Sequence, residues 1–249
     1  TSGTTTPPTN PNGNIYYVSP SGSDTTGDGS ISKPWFTLNK AWEYVGPGDT
    51  IYMRGGTYRY SKQTLGGKSG TSGNYINVWA YPYDSIKPSI TKSSSYVAQW
   101  PNGLIYVPNG DYLYFKGIEI YGFEQANEGI WSGLWVFNSQ NSIFEQLNIH
   151  HCGHGAMFEN INNCLILNSD FHNNIDPLTS SDPYGDADGV GIMGDSTSSV
   201  NTFKGCRFWW NTDDGIDLWH YEGNIIIDNC WAWYNGFIPD TFEEAGNGN

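Results

Sequence analysis

The segment Cys206-Arg207-Phe208-Trp209-Trp210-Asn211 recurs 24 residues later as Cys230-Trp231-Ala232-Trp233-Tyr234-Asn235. Both copies place a short, strand-like run between a cysteine and an asparagine. Weaker copies precede them, and the central residues of five copies are separated by 29, 22, 37 and 24 residues. A period in the low twenties, built from short strands with turns between them, is typical of a solenoid. The five central residues are Ile120, Ile149, Phe171, Phe208 and Ala232.

A second class of strand recurs between these copies, and no long helical pattern separates the strands. The sequence therefore predicts an all-β fold, a right-handed parallel β-helix. Its coils would stack about 4.8 Å apart, so that residues one repeat apart lie side by side. A β-sandwich is the alternative architecture. The second strand class comprises residues 104–107, 133–137, 155–158, 189–193 and 215–219.

The predicted domain organisation is simple. Residues 1–14 lack an apolar pattern and are typical of a linker or flexible tail, whereas residues 15–249 are predicted to form the β-helix domain. Leu38, Ala41, Trp42 and Val45 share one helical face behind a candidate N-cap, Thr37. We expect this helix to precede the solenoid and cap its N-terminal end, because an open end would expose the core. The longest repeat spacing contains the polar stretch 174–187, which is predicted to be an inserted loop.

The composition restricts the partners that the chain can have. The 249 residues carry a formal net charge of −14, which disfavours binding to nucleic acid or to an anionic membrane. No apolar run is long enough to span a bilayer, and no signal peptide is recognised. Few lysines, many acidic residues and a Thr- and Pro-rich start indicate a secreted, extracellular module of a larger protein. Four cysteines do not make a disulfide framework in a chain of this length.

The stretch Asn211-Thr212-Asp213-Asp214-Gly215-Ile216-Asp217-Leu218 places three carboxylates in five positions, with no lysine or arginine among them. A hard cation would relieve their repulsion, and Ca²⁺ prefers carboxylate oxygens. Asp188 lies 25 residues before Asp213, and we expect the two at one corner of adjacent coils. Asn211 and Asn235 should stack at a turn with Asn173 or Asn174. A structural Ca²⁺ site is the alternative interpretation of the cluster.

Several motifs resemble the pectate lyases of polysaccharide lyase family 9. They are Asp186-Ala187-Asp188-Gly189, Lys204-Gly205-Cys206-Arg207 followed by 211–217, and Asn229-Cys230-Trp231-Ala232-Trp233-Tyr234-Asn235-Gly236. The likeness runs from about residue 15 to the end. It implies a right-handed parallel β-helix that cleaves polygalacturonate by β-elimination with Ca²⁺. The family's calcium carboxylates fall on Asp188, Asp213, Asp214 and Asp217.

The resemblance also implies a lysine base in a Gly-Asn-Gly-Phe-Lys context. This sequence stops at Gly246-Asn247-Gly248-Asn249, so that we expect the lysine and the C-terminal coils to lie beyond it, and no catalytic residue is assigned within the chain. A second departure is Ile216, where the family often has an aromatic residue. The implied partner is an acidic plant cell-wall polysaccharide. Homogalacturonan is favoured, although rhamnogalacturonan and other uronates share the same chemistry.

Other candidate residues have weaker support. Lys204 could replace the missing base, but strand alternation points it towards a different face. Arg207 and His220 are candidate substrate-binding residues, with ordinary surface positions as the alternative. The Trp-rich C-terminal coils support a rival function, a non-catalytic or degenerate β-helix that binds polysaccharide.

Two further motifs suggest a metal cluster and a disulfide. The run 150–154 contains three histidines and one cysteine, yet adjacent residues of a strand point to opposite faces, so polar residues at a strand end are the preferred interpretation. Cys206 and Cys230 share one position in neighbouring coils. They are expected to stack as interior thiols, since parallel Cβ vectors suit a disulfide poorly.

Overall fold

Parallel strands dominate the computed structural model, which describes residues 13–97, 100–180, 182–194 and 200–245. The strands pair into sheets of eight, six and seven members, and each strand lies next to its counterpart in the preceding and following coil. This arrangement confirms the predicted right-handed parallel β-helix. Of the predicted linker, residues 1–12 lie outside the described part of the chain. Gly13 and Asn14 donate to the Gly48 carbonyl and to Asp49 Oδ1, at 2.9 and 2.6 Å.

The eight-stranded sheet contains β1 (Ile15–Val18), β2 (Thr50–Met53), β5 (Ile76–Ala80), β8 (Leu113–Lys116), β11 (Ile143–Glu145), β14 (Leu165–Leu167), β17 (Val200–Lys204) and β20 (Asn224–Asp228). The six-stranded sheet contains β4 (Gln63–Thr64), β7 (Gly103–Pro108), β10 (Ser132–Gln140), β13 (His154–Asn162), β16 (Val190–Met193) and β19 (Ile216–Asp217). The seven-stranded sheet contains β3 (Gly56–Tyr60), β6 (Pro88–Lys92), β9 (Glu119–Tyr121), β12 (Asn148–His150), β15 (Asp170–His172), β18 (Arg207–Trp209) and β21 (Trp231–Trp233).

The observed register matches the repeat found in the sequence. In the seven-stranded sheet Ile120 pairs with Ile149, Ile149 with Phe171, Phe171 with Phe208, and Phe208 with Ala232. Four of these five side chains are buried, and the rings of Phe171 and Phe208 stack with centroids 5.5 Å apart. The second strand class forms the core of the six-stranded sheet in the same way. Stacked apolar side chains therefore fill the interior along the solenoid axis.

Helix α1 (Leu38–Trp42) begins at Thr37, whose side chain accepts a hydrogen bond from the Lys40 N–H, as expected for an N-cap. Leu38, Ala41 and Trp42 are buried, which confirms the predicted apolar face. The expected position of the helix was wrong in one respect. Strand β1 already pairs with β2, so α1 lies between the first two strands of the eight-stranded sheet rather than before them.

The last described coil is more exposed than the others. Ile227 is 54% exposed, whereas its counterpart in the preceding coil, Phe203, is buried, and Trp231 is 68% exposed. Among the described residues, no helix is long and apolar enough to cross a membrane.

Candidate functional site

The predicted acidic residues meet where two coils of the six-stranded sheet begin. Asp188 precedes β16, while Asp213 and Asp214 precede β19, which contains Asp217. The Asp214 N–H donates to Asp188 Oδ1 at 3.0 Å, and the Gly189 N–H donates to the Asp214 carbonyl at 2.9 Å. Adjacent coils therefore hold these carboxylates at one corner, as predicted. The register differs by one residue: Val190 pairs with Ile216, which aligns Asp188 with Asp214 rather than with Asp213.

A column of buried asparagines fixes the backbone directly before this corner. Asn174 Nδ2 donates to Asn211 Oδ1 at 2.8 Å, and Asn211 Nδ2 donates to Asn235 Oδ1 at 2.9 Å. Asn211 Nδ2 also lies 3.2 Å from the Phe171 carbonyl, which it can satisfy. The predicted asparagine stack is confirmed, with Asn174 rather than Asn173 as its first member. Its amides tie together the three coils that flank the acidic corner.

A cleft of about 410 Å³ opens beside the corner, and all four predicted aspartates line it. Met157 and Gly191 contribute to its lining from the sheet, and Trp219 lies at its edge. The lining residues are Ile130, His154, Met157, Asp182, Gly185, Asp186, Asp188, Gly191, Met193, Asp213, Asp214, Asp217 and Trp219. None of these described residues is a lysine or an arginine, so the cleft is strongly electronegative.

Two acidic lining residues, Asp182 and Asp186, were missed as site residues from the sequence. They belong to the inserted loop between β15 and β16, which forms one wall of the cleft. Asp176 holds this loop from beneath, because its Oδ2 accepts hydrogen bonds from the Thr179 hydroxyl at 3.2 Å and from the Asp186 N–H at 3.1 Å. The high density of aspartate in residues 176–188 was the signal available in the sequence.

The carboxyl groups raise one another's pKa. Burial raises the pKa of Asp188 well above its ordinary value, and the negative charges of Asp217 and Asp213 raise it further. Burial and the charge of Asp186 raise the pKa of Asp176 to about 7. Burial also raises the pKa of Asp186. Such mutual repulsion is what a bound cation would relieve.

His154 lies under the acidic corner and is almost completely buried. Its Nδ1 is 2.9 Å from the Asp186 carbonyl and its Nε2 is 3.2 Å from the Ala156 carbonyl. Burial lowers its pKa, although these carbonyls act in the opposite direction. His154 Nδ1 also lies 3.8 Å from Asp188 Oδ2, and burial disfavours the charged form of both groups by lowering the pKa of His154 and raising that of Asp188.

The donor chemistry of the corner fits a hard cation. Asp188, Asp213, Asp214 and Asp217 offer only oxygen atoms, which is the ligand set that Ca²⁺ prefers. The described residues contain no group of three or more His, Cys, Asp or Glu side chains already arranged to hold an ion. The carboxylates therefore share one cleft, and side-chain rotation would be needed to bring them onto one ion.

The two predicted substrate-binding residues do not line the cleft. Arg207 is on the seven-stranded sheet, where its Nε and Nη2 donate to Asp170 at 2.6 and 2.5 Å. His220 is exposed and lies beside Trp219, with ring centroids 5.3 Å apart. Lys204 is also remote, since its Nζ pairs with Asp228 at 2.6 Å on the eight-stranded sheet. The role of Arg207 and His220 stays a prediction.

The histidine run at residues 150–154 departs from the expectation for a continuous strand. Strand β12 ends at His150, and His151 has a left-handed backbone with φ of 53°. This turn brings the two rings together, with Nδ1 atoms 2.7 Å apart, so the expectation of opposite faces was wrong. Cys206 and Cys230 are free thiols that stack between coils, and the Cys206 N–H approaches Cys230 Sγ at 3.4 Å.

The fold and the cleft define a class of protein, a parallel β-helix that carries an acidic, oxygen-lined cleft at the edge of one sheet. More particularly, the chain belongs to the Pel9A-like family, because the family model for the right-handed β-helix region matches residues 16–249.

Similar proteins agree with this assignment. Pectate lyase L of Dickeya chrysanthemi is 32% identical over 249 residues, which cover 94% of this chain and 54% of the relative. A solved structure of pectate lyase Pel9A has a TM-score of 0.74 at 31% identity and covers 94% of this chain and 57% of its own. A solved rhamnogalacturonan lyase has a TM-score of 0.78 at 28% identity, with coverages of 95% and 62%. The chain thus spans about half the length of the curated Dickeya relative that it matches.

Proposed function

We propose that the chain is part of a calcium-dependent polysaccharide lyase that cleaves a polygalacturonate-type uronate by β-elimination. One observation carries the proposal: four carboxylates from two adjacent coils meet in one cleft whose described lining has no lysine or arginine. Such a cleft would repel an acidic polymer unless bound cations inverted the local charge. Similarity to pectate lyase L and to pectate lyase Pel9A supports the same reaction class.

In this proposal Asp188, Asp213, Asp214 and Asp217 hold the ion. Bound Ca²⁺ would neutralise the uronate carboxylate and stabilise the negative charge that develops when the C5 proton is removed. The buried Asp188 anchors the site, because its Oδ1 accepts from the Asp214 N–H and fixes the adjacent coil. Asp182 and Asp186 on the loop wall add to the negative charge of the cleft, which bound Ca²⁺ would offset.

The described lining of the cleft contains no lysine, and both ring nitrogens of His154 face backbone carbonyls. The proton-abstracting base therefore comes from outside this lining. An acidic cell-wall polymer as substrate would require the protein to act outside the cell, where Ca²⁺ is abundant, and the net charge of −14 favours solubility.

The first prediction concerns the reaction itself. Incubation with polygalacturonate should produce the ultraviolet absorbance of an unsaturated uronide, and EDTA should abolish the increase until excess Ca²⁺ is added. Polymer cleavage without that absorbance would indicate hydrolysis, and activity indifferent to chelation would exclude the calcium role. Binding of the polymer without cleavage would favour the non-catalytic polysaccharide-binding alternative.

A further inference from the structure

An outward-facing row of side chains continues from the acidic cleft along the six-stranded sheet. Asp217 pairs with Gly191, Gly191 with Met157, Met157 with Trp135, and Trp135 with Tyr106. In the four strands other than that of Asp217, the neighbours of these residues are core residues, so alternation directs Gly191, Met157, Trp135 and Tyr106 away from the core, although Met157 and Trp135 are only 3% and 5% exposed. Adjacent strands are about 4.8 Å apart, which places Trp135 and Tyr106 roughly 14 and 19 Å from Asp217 along the axis.

The end of this row remote from the acidic corner has a different chemistry. Trp100 makes an edge-to-face contact with Trp135, with ring centroids 5.3 Å apart and planes at 80°. Trp100 is 74% exposed. Lys62 Nζ lies 4.6 Å from the centre of the Tyr106 ring and donates to the Pro101 carbonyl at 2.5 Å. An open indole face and an ammonium group are therefore adjacent at one end of a row that begins with carboxylates.

We propose that Trp100, Tyr106 and Lys62 form a distal subsite that binds one uronate residue of a polymer lying along the row, three to four coils from the acidic corner. The proposal rests on the proposed function, because the same polymer would occupy the cleft. The apolar face of a pyranose ring stacks on an aromatic face such as that of Trp100. The positive charge of Lys62 attracts the uronate carboxylate, whereas the acidic corner needs a cation to do so.

The position of the subsite fits an extended chain. A linked pyranose residue is about as long as the distance between coils, so an extended polymer that reaches from the cleft to Trp100 would advance by about one sugar per coil. Gly191 leaves room for the side chains that pack over it beside the corner: a Cβ there would meet His154 Cε1 at 3.0 Å and Met157 Cε at 3.1 Å. A long substrate would therefore gain affinity from the distal subsite that a short one cannot reach.

The test compares oligomers of different length. For the wild type, kcat/KM should be higher with octagalacturonate than with trigalacturonate. Trp100→Ala should lower the ratio of the two values by about three- to tenfold, the effect of losing one aromatic stacking contact. Tyr83→Ala is the matched control, because Tyr83 is 84% exposed but lies beyond β5 of the eight-stranded sheet. An unchanged ratio in Trp100→Ala would overturn the proposal.

Direct binding separates this inference from the proposed function. In EDTA no turnover is expected and the repulsion at the acidic corner is unrelieved, so octagalacturonate should bind more weakly than in Ca²⁺ but should still quench tryptophan fluorescence. Trp100→Ala should weaken this remaining binding by a similar factor. Lys62→Met should weaken binding of octagalacturonate but not of a neutral galactan of equal length. Binding unaffected by both substitutions would show that Trp100 only covers Trp135, even if the lyase activity itself is confirmed.

Discussion

At the scale of a single residue, Asp188 has two opposing effects on the stability of the acidic corner. Its side chain is only 5% exposed, and it accepts the Asp214 N–H that orders the neighbouring coil. Burial and the charges of Asp217 and Asp213 raise its pKa, so the ionised form is unfavourable in the folded protein without a cation. The residue that anchors the corner thus also disfavours the metal-free state when it is ionised.

We expect Asp188→Asn to separate these two effects. The amide oxygen can still accept from Asp214, and loss of the negative charge removes repulsion, so the variant should have a higher Tm than the wild type in EDTA. Excess Ca²⁺ should raise the wild-type stability, by about 2.7 kcal/mol at a hundredfold excess over Kd, but leave Asp188→Asn nearly unchanged. Thermal unfolding by circular dichroism measures both.

Asp228→Asn is the control for this experiment, because Asp228 pairs with Lys204 on the eight-stranded sheet. It should retain the full response to Ca²⁺. If Asp188→Asn responded to Ca²⁺ as strongly as the wild type, Asp188 would not be a ligand.

At the scale of elements, the asparagine column couples the coil corners. Asn211 is fully buried, and its amide serves Asn174, Asn235 and the Phe171 carbonyl. Asn211→Ala should lower the unfolding free energy by about 3 kcal/mol or more, because several buried polar groups lose their partner. Denaturant unfolding followed by tryptophan fluorescence gives the difference.

An exposed asparagine offers the comparison for Asn211. Asn163 Nδ2 donates to Asn141 Oδ1 at 2.7 Å at the surface, with φ of 52°. Asn163→Gly keeps the left-handed backbone accessible and should cost less than about 1 kcal/mol. Equal losses for the two variants would show that the buried column adds nothing beyond a single surface contact.

The sequence predicted the strands well but not the turns that follow them. The centres of the strands repeat as apolar residues in the sequence. In the structure these residues pair in register, Phe171 with Phe208 and Phe208 with Ala232. The left-handed residues after β12, β18 and β21 are His151, Trp210 and Tyr234, with φ near 55°. Such backbone is expected of glycine or asparagine, so these residue types gave no signal for it. Tertiary stacking imposes the conformation: the rings of Trp210 and Tyr234 lie 4.8 Å apart.

The candidate site was likewise predictable where the repeat determines it, and not where the inserted loop forms it. Four aspartates could be placed together from the repeat alone, since residues one coil apart must be neighbours. The wall formed by Asp182 and Asp186 could not, because an inserted loop has no repeat to fix its path. The one-residue shift that aligns Asp188 with Asp214 has another origin: Val190 pairs with Ile216, so the coil from β16 to β19 is 26 residues long rather than 25.

At the scale of the whole molecule, acidic pKa values link stability to pH. Asp176, Asp186 and Asp188 all have folded-state pKa values above their ordinary range, and that of Asp176 is about 7. The folded state therefore binds protons more tightly than the unfolded state. This contribution to stability is complete below about pH 4 and is lost as the pH rises through about 7.

We accordingly expect the Tm in EDTA to fall between pH 5 and pH 8. Asp176→Asn should make the fall shallower, because a shift of about three pKa units corresponds to up to about 4 kcal/mol. The amide can still accept from the Asp186 N–H and donate to the Thr212 hydroxyl, whose oxygen is 3.4 Å away. Parallel Tm profiles for the variant and the wild type would contradict the role of Asp176.

The inserted loop has a consequence for how such proteins diverge. Phe171 and Phe208 pair directly although 37 residues separate them, so the coil closes in register whatever length of chain leaves it at that corner. Insertions and deletions there would alter the loop wall of the acidic cleft and leave the strands beneath it in place. A change in loop length therefore reshapes the cleft without altering the β-helix scaffold.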